Sequence, residues 1–208
     1  MARKWVTGIV IVCALGLAGC TARNTVRNWV TGIVGGPYMV KADAPTAGPP
    51  PDKALVYVMR PSGNTFQLNW PYASFQVWDR DQFIGLSQEK SYFAYLCAPG
   101  RHLFIGIAEN KVAVEADLAP GRSYYILTDP RWGWGKARLA MIPVTQGSEY
   151  WDKVDALKQE LEFIVPVAER VQTWDAAKKA WVAGLVDFFE KDPEREKYMT
   201  YLAPADGR

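Results

Sequence analysis

Between Ala54 and Val144 the apolar residues come in short runs with turn signals between them, most of these containing Gly, Pro, Asn or Asp. Several runs alternate: Val112, Val114 and Ala116 fall on one side of a strand, Lys111, Ala113, Glu115 and Asp117 on the other. A period of 2 buries one face and solvates the other. The pattern predicts strands over Ala54–Arg60, Ser74–Asp79, Gln82–Ser87, Ser91–Cys97, His102–Ile107, Lys111–Leu118, Ser123–Thr128 and Lys136–Val144. Strands this short and this closely spaced, with no βαβ rhythm, indicate a mainly β chain. The expected fold is an antiparallel β-sandwich of immunoglobulin-like or transthyretin-like size with a C-terminal α-helical segment.

After Pro143 the period lengthens. Trp151, Val154, Leu157 and Leu161 fall at helical spacing behind Ser148 as a candidate cap. Leu161, Phe163 and Val165 alternate with Glu160 and Glu162, which also fits a last strand ending at Pro166. Trp174, Ala177, Trp181, Leu185 and Phe188 form one stripe of a helix capped near Thr173 and stopping before Asp192-Pro193, with the stripe packed on the sheet.

Two segments recur. Ala98-Pro99-Gly100-Arg101 is echoed by Ala119-Pro120-Gly121-Arg122. Pro presets the second residue of a type II turn and Gly supplies positive φ at the third, so both copies read as hairpin connections. Trp5-Val6-Thr7-Gly8-Ile9-Val10 returns as Trp29-Val30-Thr31-Gly32-Ile33-Val34, either a segment resting on a bilayer surface or a local duplication without function.

The N-terminus has the form of an address. Arg3 and Lys4 precede an apolar run that ends Leu17-Ala18-Gly19-Cys20. A basic start, a short apolar stretch and small residues before a cut site make a secretory signal. The run is shorter than the roughly 20 residues a spanning helix needs. Its ending resembles the bacterial lipobox, which implies diacylglycerol on the Cys20 thiol, cleavage before it and acylation of the new amino group. Several acyl chains, at about 0.8 kcal/mol per buried CH₂, hold a protein on a bilayer. Thr21 after Cys20 points to the outer membrane. The expected organisation is a lipoprotein signal peptide over 1–19, an acylated tether and Pro-rich spacer over 20–53, a β-sandwich domain over 54–147 and a helical segment over 148–208. Pro45, Pro49, Pro50 and Pro51 favour extended, polyproline-like chain in the spacer.

Composition narrows the function classes. A chain of 208 residues, 49% hydrophobic and 13% aromatic, is not intrinsically disordered, and its 14 Pro and 17 Gly follow no collagen period. It is long enough to bury a core without disulfides or metals. Without residues 1–19, Lys+Arg falls from 24 to 22 against 22 Asp+Glu, so the formal charge drops from +2 to zero. A neutral chain carries no electrostatic footprint for nucleic acid. Cys13 leaves with the signal and Cys20 becomes the anchor, so Cys97 has no partner for a disulfide. Its apolar strand makes it a buried small hydrophobe.

Several pieces in order resemble one known family: Ala54-Leu55-Val56-Tyr57-Val58-Met59-Arg60-Pro61, Val77-Trp78-Asp79-Arg80-Asp81 with Ile84-Gly85, Ser91-Tyr92-Phe93, Pro99-Gly100-Arg101-His102 and Gly121-Arg122-Ser123-Tyr124-Tyr125-Ile126. Together they are similar to the bacterial lipoprotein domain called domain of unknown function 2846, over about Lys53 to Val144. The resemblance implies a small β-rich envelope domain and carries no catalytic residues.

Candidate chemistry is sparse. Any Ser-His or Cys-His device must use His102, the chain's one histidine, which starts a strand and reads as structural. One His and one free Cys, with neither Cys-x-x-Cys nor His-Glu-x-x-His, supply no zinc site. Asp79-Arg80-Asp81 separates two alternating runs and reads as a hairpin turn, and no Gly-rich phosphate loop appears. The one surface candidate is Asp129-Pro130-Arg131-Trp132-Gly133-Trp134-Gly135-Lys136, whose aromatics offer a platform for a sugar face or a protein, or else fold back over the sandwich end. The expectation is therefore a membrane-anchored envelope lipoprotein without enzymatic activity, metal or cofactor. It meets the bilayer through acylated Cys20, faces the periplasm and binds an envelope protein. The alternative is a glycan-binding module that uses Trp132, Trp134 and Trp70.

Overall fold

The structure, a computed structural model, describes residues 38–45, 47–61, 74–131 and 137–208, with helix residues 171–177 described by their backbone. In chain order the strands are β1 (Met39–Lys41), β2 (Ala54–Arg60), β3 (Phe75–Asp79), β4 (Gln82–Ser87), β5 (Ser91–Cys97) and β6 (Gly100–Ile107). There follow β7 (Lys111–Leu118), β8 (Ser123–Arg131), β9 (Arg138–Pro143), helix α1 (Val154–Glu160), β10 (Glu162–Pro166), helix α2 (Ala168–Lys191) and β11 (Met199–Leu202). One sheet has the order β1-β10-β5-β2-β8-β9, the other β11-β7-β6-β3-β4. They pack face to face as a sandwich.

The fold is mainly β, as the alternation requires, but the sheets are mixed rather than antiparallel. Three neighbouring pairs run parallel: β2 with β8, β5 with β10 and β7 with β11. Parallel neighbours are joined by long crossovers, which local periodicity does not register. Residues 148–208, expected as a helical segment, contribute a strand to each sheet. The two Pro-Gly segments adopt the positive φ expected of them, +114° at Gly100 and +71° at Gly121. They are not hairpins, however. Each carries the chain from one sheet to the other, β5 to β6 and β7 to β8.

Strand register assigns the faces. Val56, Val58, Val77, Phe93, Phe104, Val114, Tyr124 and Ile126 are buried between the sheets. Gly106 lies on the same face of β6 as Phe104, and a Cβ there would stand 2.5 Å from Met141 Sδ and 2.8 Å from Leu139 Cδ2 on β9. The outer face of the six-stranded sheet carries Leu55, Tyr57, Met59, Tyr92, Tyr125 and Leu127, which cluster with Val154 of α1, Val144 and Leu161. The α1 N-cap is Lys153, not Ser148, whose buried Oγ lacks a partner.

Helix α2 packs against β4. It starts before Thr173, with Val167 as N-cap, and ends as expected at Asp192. Val182, Leu185 and Phe189 form its buried face, whereas Trp181 is 47% exposed beside Lys111 and Lys178. The buried stripe is thus turned from the expected Trp181–Leu185–Phe188 line. Trp181-Val182 and Phe188-Phe189 are adjacent apolar pairs, so periodicity alone admits both faces.

The sheet edges are closed by side chains. The Asn110 amide donates to Leu139 O at 2.9 Å and accepts from Leu139 N at 2.8 Å, standing in for a strand beside β9. On the opposite side Leu86 N of β4 donates to Met39 Sδ of β1 at 3.4 Å. The chain leaving β1 returns to the body at Lys53, whose carbonyl accepts from Gly121 N at 2.7 Å.

Candidate functional site

Inside the sandwich, below the Ala98-Pro99-Gly100 turn, lies a polar cluster drawn from three strands. Alternation along β3 turns Asp79 inward with Phe75 and Val77, and alternation along β6 does the same for His102 with Phe104. His102 Nδ1 meets Asp79 Oδ2 at 2.6 Å, and Nε2 meets the Ala98 carbonyl oxygen at 2.9 Å. A carboxylate and a carbonyl both accept, so both ring nitrogens donate and the ring is an imidazolium. Burial opposes that charge. The hydrogen bonds to Asp79 and Cys97 and the charge of Asp79 outweigh it, raising the His102 pKa to about 10.

The neighbours complete the cluster. Tyr95 Oη donates to Asp79 Oδ2 at 3.1 Å and lies 3.3 Å from Gln82 Oε1. Burial, then the charge of Asp79, pushes the Tyr95 phenol well above its ordinary range. The imidazole stacks on Phe104 at 5.7 Å, and Tyr95 meets the same ring edge-on. Cys97 is buried and free, its thiol 3.7 Å from Ala54 O. Asp79 Oδ1 is buried without a hydrogen-bond partner.

Chemically this arrangement is a pin. A general base needs a nitrogen lone pair facing a nucleophile, and both His102 nitrogens already carry donated protons. What the cluster does is tie β3 of one sheet to the turn that leaves β5 of the other.

The opposite end of the interior has its own polar link. Ser87 Oγ and Thr128 Oγ1 are 2.6 Å apart across the two sheets, and Thr128 Oγ1 donates to Met59 O at 3.2 Å. Beside them the buried Arg60 guanidinium lies 5.1 Å from the Phe75 ring centroid. Burial lowers its pKa to about 10 against the opposing charges of Glu89 and Asp129. Outside the five-stranded sheet, Arg80 pairs with Glu190 at 2.6 Å and Arg101 pairs with Glu115. These groups rim a narrow cleft floored by Leu103, Phe189 and Met199, where α2 is fastened to the sheet.

Cys20, Trp70, Trp132 and Trp134 lie outside the described residues. Of the hairpin turn expected over Asp79-Arg80-Asp81, Asp79 belongs to the strand. The turn itself is made by Arg80, at φ 51°, while Asp79 ends the strand and faces inward. The signal was present in Phe75, Val77 and Asp79 at alternate positions, which puts a carboxylate on a buried face in a chain with one histidine. Among the described residues no group of three or more His, Cys, Asp or Glu is arranged to hold a metal ion, and no helix is long and apolar enough to cross a membrane. Comparison of the chain with protein-family models, with curated proteins and with solved structures returns no match in any of the three.

Proposed function

We propose that the chain is an envelope lipoprotein, held on the outer membrane through acylated Cys20 and facing the periplasm, whose β-rich body is a non-enzymatic structural or protein-interaction module. The observation that carries this reading is the apolar run ending Leu17-Ala18-Gly19-Cys20. The engaged state of His102 supports the non-enzymatic part, since the chain's one imidazole is spent on a cross-sheet link. The resemblance to domain of unknown function 2846 accords with it and rests on the order of its pieces along β2 to β8. Crosslinking intact cells that express the protein, with Cys20→Ala as control, tests the interaction role. A defined partner recovered only from the acylated form supports it, and recovery of no protein counts against it.

The alternative is a glycan-binding module using Trp132, Trp134 and Trp70. One described feature favours it: β2 and β8 run parallel, so the strand ends flanking 62–73 and 132–136 lie at the same end of the sandwich, with Arg60 beside Phe75 and Arg131 paired with Arg138. Loss of polysaccharide retention in Trp132→Ala/Trp134→Ala, with the fold intact, supports this reading. Absence of retention by the wild type contradicts it.

A further inference from the structure

The first described strand is attached differently from the rest. β1 has three residues and pairs antiparallel with β10, flanked by Val167 N donating to Tyr38 O at 2.9 Å and Ala42 N donating to Phe163 O at 3.1 Å. Among the described residues β10 in turn meets β5 through Glu162↔Ser91 and Phe163↔Tyr92 only. Tyr38 and Met39 are buried, and the Met39 sulfur caps the Leu86 N–H on the edge of the other sheet, so β1 stitches the seam between the two sheets. Val40 and Lys41 are exposed, and Lys41 holds Glu162 through an exposed ion pair of 2.7 Å.

From these contacts we infer that β1 is an exchangeable strap, and that the seam it leaves is taken by the Met39–Lys41 strand of a second copy of this chain. Two features of the chain select that occupant. An incoming strand must place an apolar acceptor against Leu86 N and continue the β10 ladder, and this chain's own segment already does both. The connection also permits it. Ala42 belongs to the strap through its bond to Phe163 O and the body holds the chain again over Pro51–Lys53, beside Gly121, so the eight residues 43–50 span about 25 Å when extended at roughly 3.1 Å per residue. Pro45, Pro49 and Pro50 in that stretch have no N–H for a competing ladder and favour extended chain, which spans two bodies more readily than it folds back. The exchange does not depend on the lipid anchor, although copies held on one membrane meet at higher effective concentration.

The test uses full chains carrying Lys41→Cys or Ile164→Cys, opposite each other in the β1–β10 register. The first is labelled with ¹⁵N, and the two are co-refolded in detergent and oxidised. Exchange predicts a 41–164 disulfide between labelled and unlabelled chains, identified by peptide mass, whose yield falls severalfold on tenfold dilution. Lys41→Cys with Lys153→Cys is the collision control. The Val40→Cys with Val165→Cys pair repeats the test should the buried Ile164 site not tolerate substitution. Interchain disulfides no more frequent than in the control at both the 41–164 and the 40–165 pair overturn the proposal, and a chain carrying Lys41→Cys and Ile164→Cys together shows by its internal disulfide that the pair oxidises.

Discussion

His102 and Asp79 sit on neighbouring strands and share a 2.6 Å contact, but the second hydrogen bond of the imidazole, to Ala98 O, crosses to the turn arriving from the other sheet. The pair is a cross-sheet fastening made of two buried charges, and its worth depends on both being present. Removing one partner of a buried pair leaves the other charge uncompensated. His102→Ala is expected to destabilise the fold by about 3 kcal/mol. Asp79→Ala is expected to cost a similar amount, and the double variant less than the sum. Urea unfolding of the four proteins in a double-mutant cycle measures this, and additive losses contradict it.

The same pair sets a pH dependence. The His102 pKa is raised from 6.5 to about 10 in the fold. Its contribution is therefore full below about pH 6.5 and is lost as pH rises through about 10. The stability difference between wild type and His102→Gln should be largest near pH 6 and shrink steadily toward pH 10. A difference that grows with pH would contradict a proton held on His102 by Asp79.

Gly106 leaves room for two side chains of the facing sheet. A methyl group there meets Met141 and Leu139 well inside contact distance. Gly106→Ala is expected to cost about 2 kcal/mol through overpacking. Calorimetry reads this as a lowered Tm, and an unchanged Tm would mean that β9 yields freely.

Asn110 guards the edge of β9. Asn110→Ala leaves the Leu139 N–H and C=O without their side-chain partner, at about 2 kcal/mol. It also opens a strand edge to pairing between molecules. Light scattering should show species larger than those of the wild type at the same protein concentration, growing as the concentration of the variant rises.

What the sequence conveyed follows the range of the forces involved. β2, β4, β5 and β7 fall at the bounds that alternation predicts, because strand period and turn chemistry are local. The positive φ of Gly100 and Gly121 was legible for the same reason. Partner choice was not: β8 beside β2 and β11 beside β7 are decided by packing between segments far apart in the chain. β1 and β11 are too short to show a period. At the site His102 was visible as the only imidazole, and Asp79 was hidden because its neighbours Arg80 and Asp81 carry a turn signal stronger than a single inward alternation.

Cys20 is the proposed anchor, and the mass of the mature N-terminus tests it most directly. Protein isolated from membranes of the native cell, digested and analysed by mass spectrometry, is predicted to begin at Cys20 with diacylglycerol on sulfur and an acyl group on the amine. An unmodified N-terminal peptide that runs through Leu17-Ala18-Gly19-Cys20 would contradict the anchor and the placement in the envelope built on it.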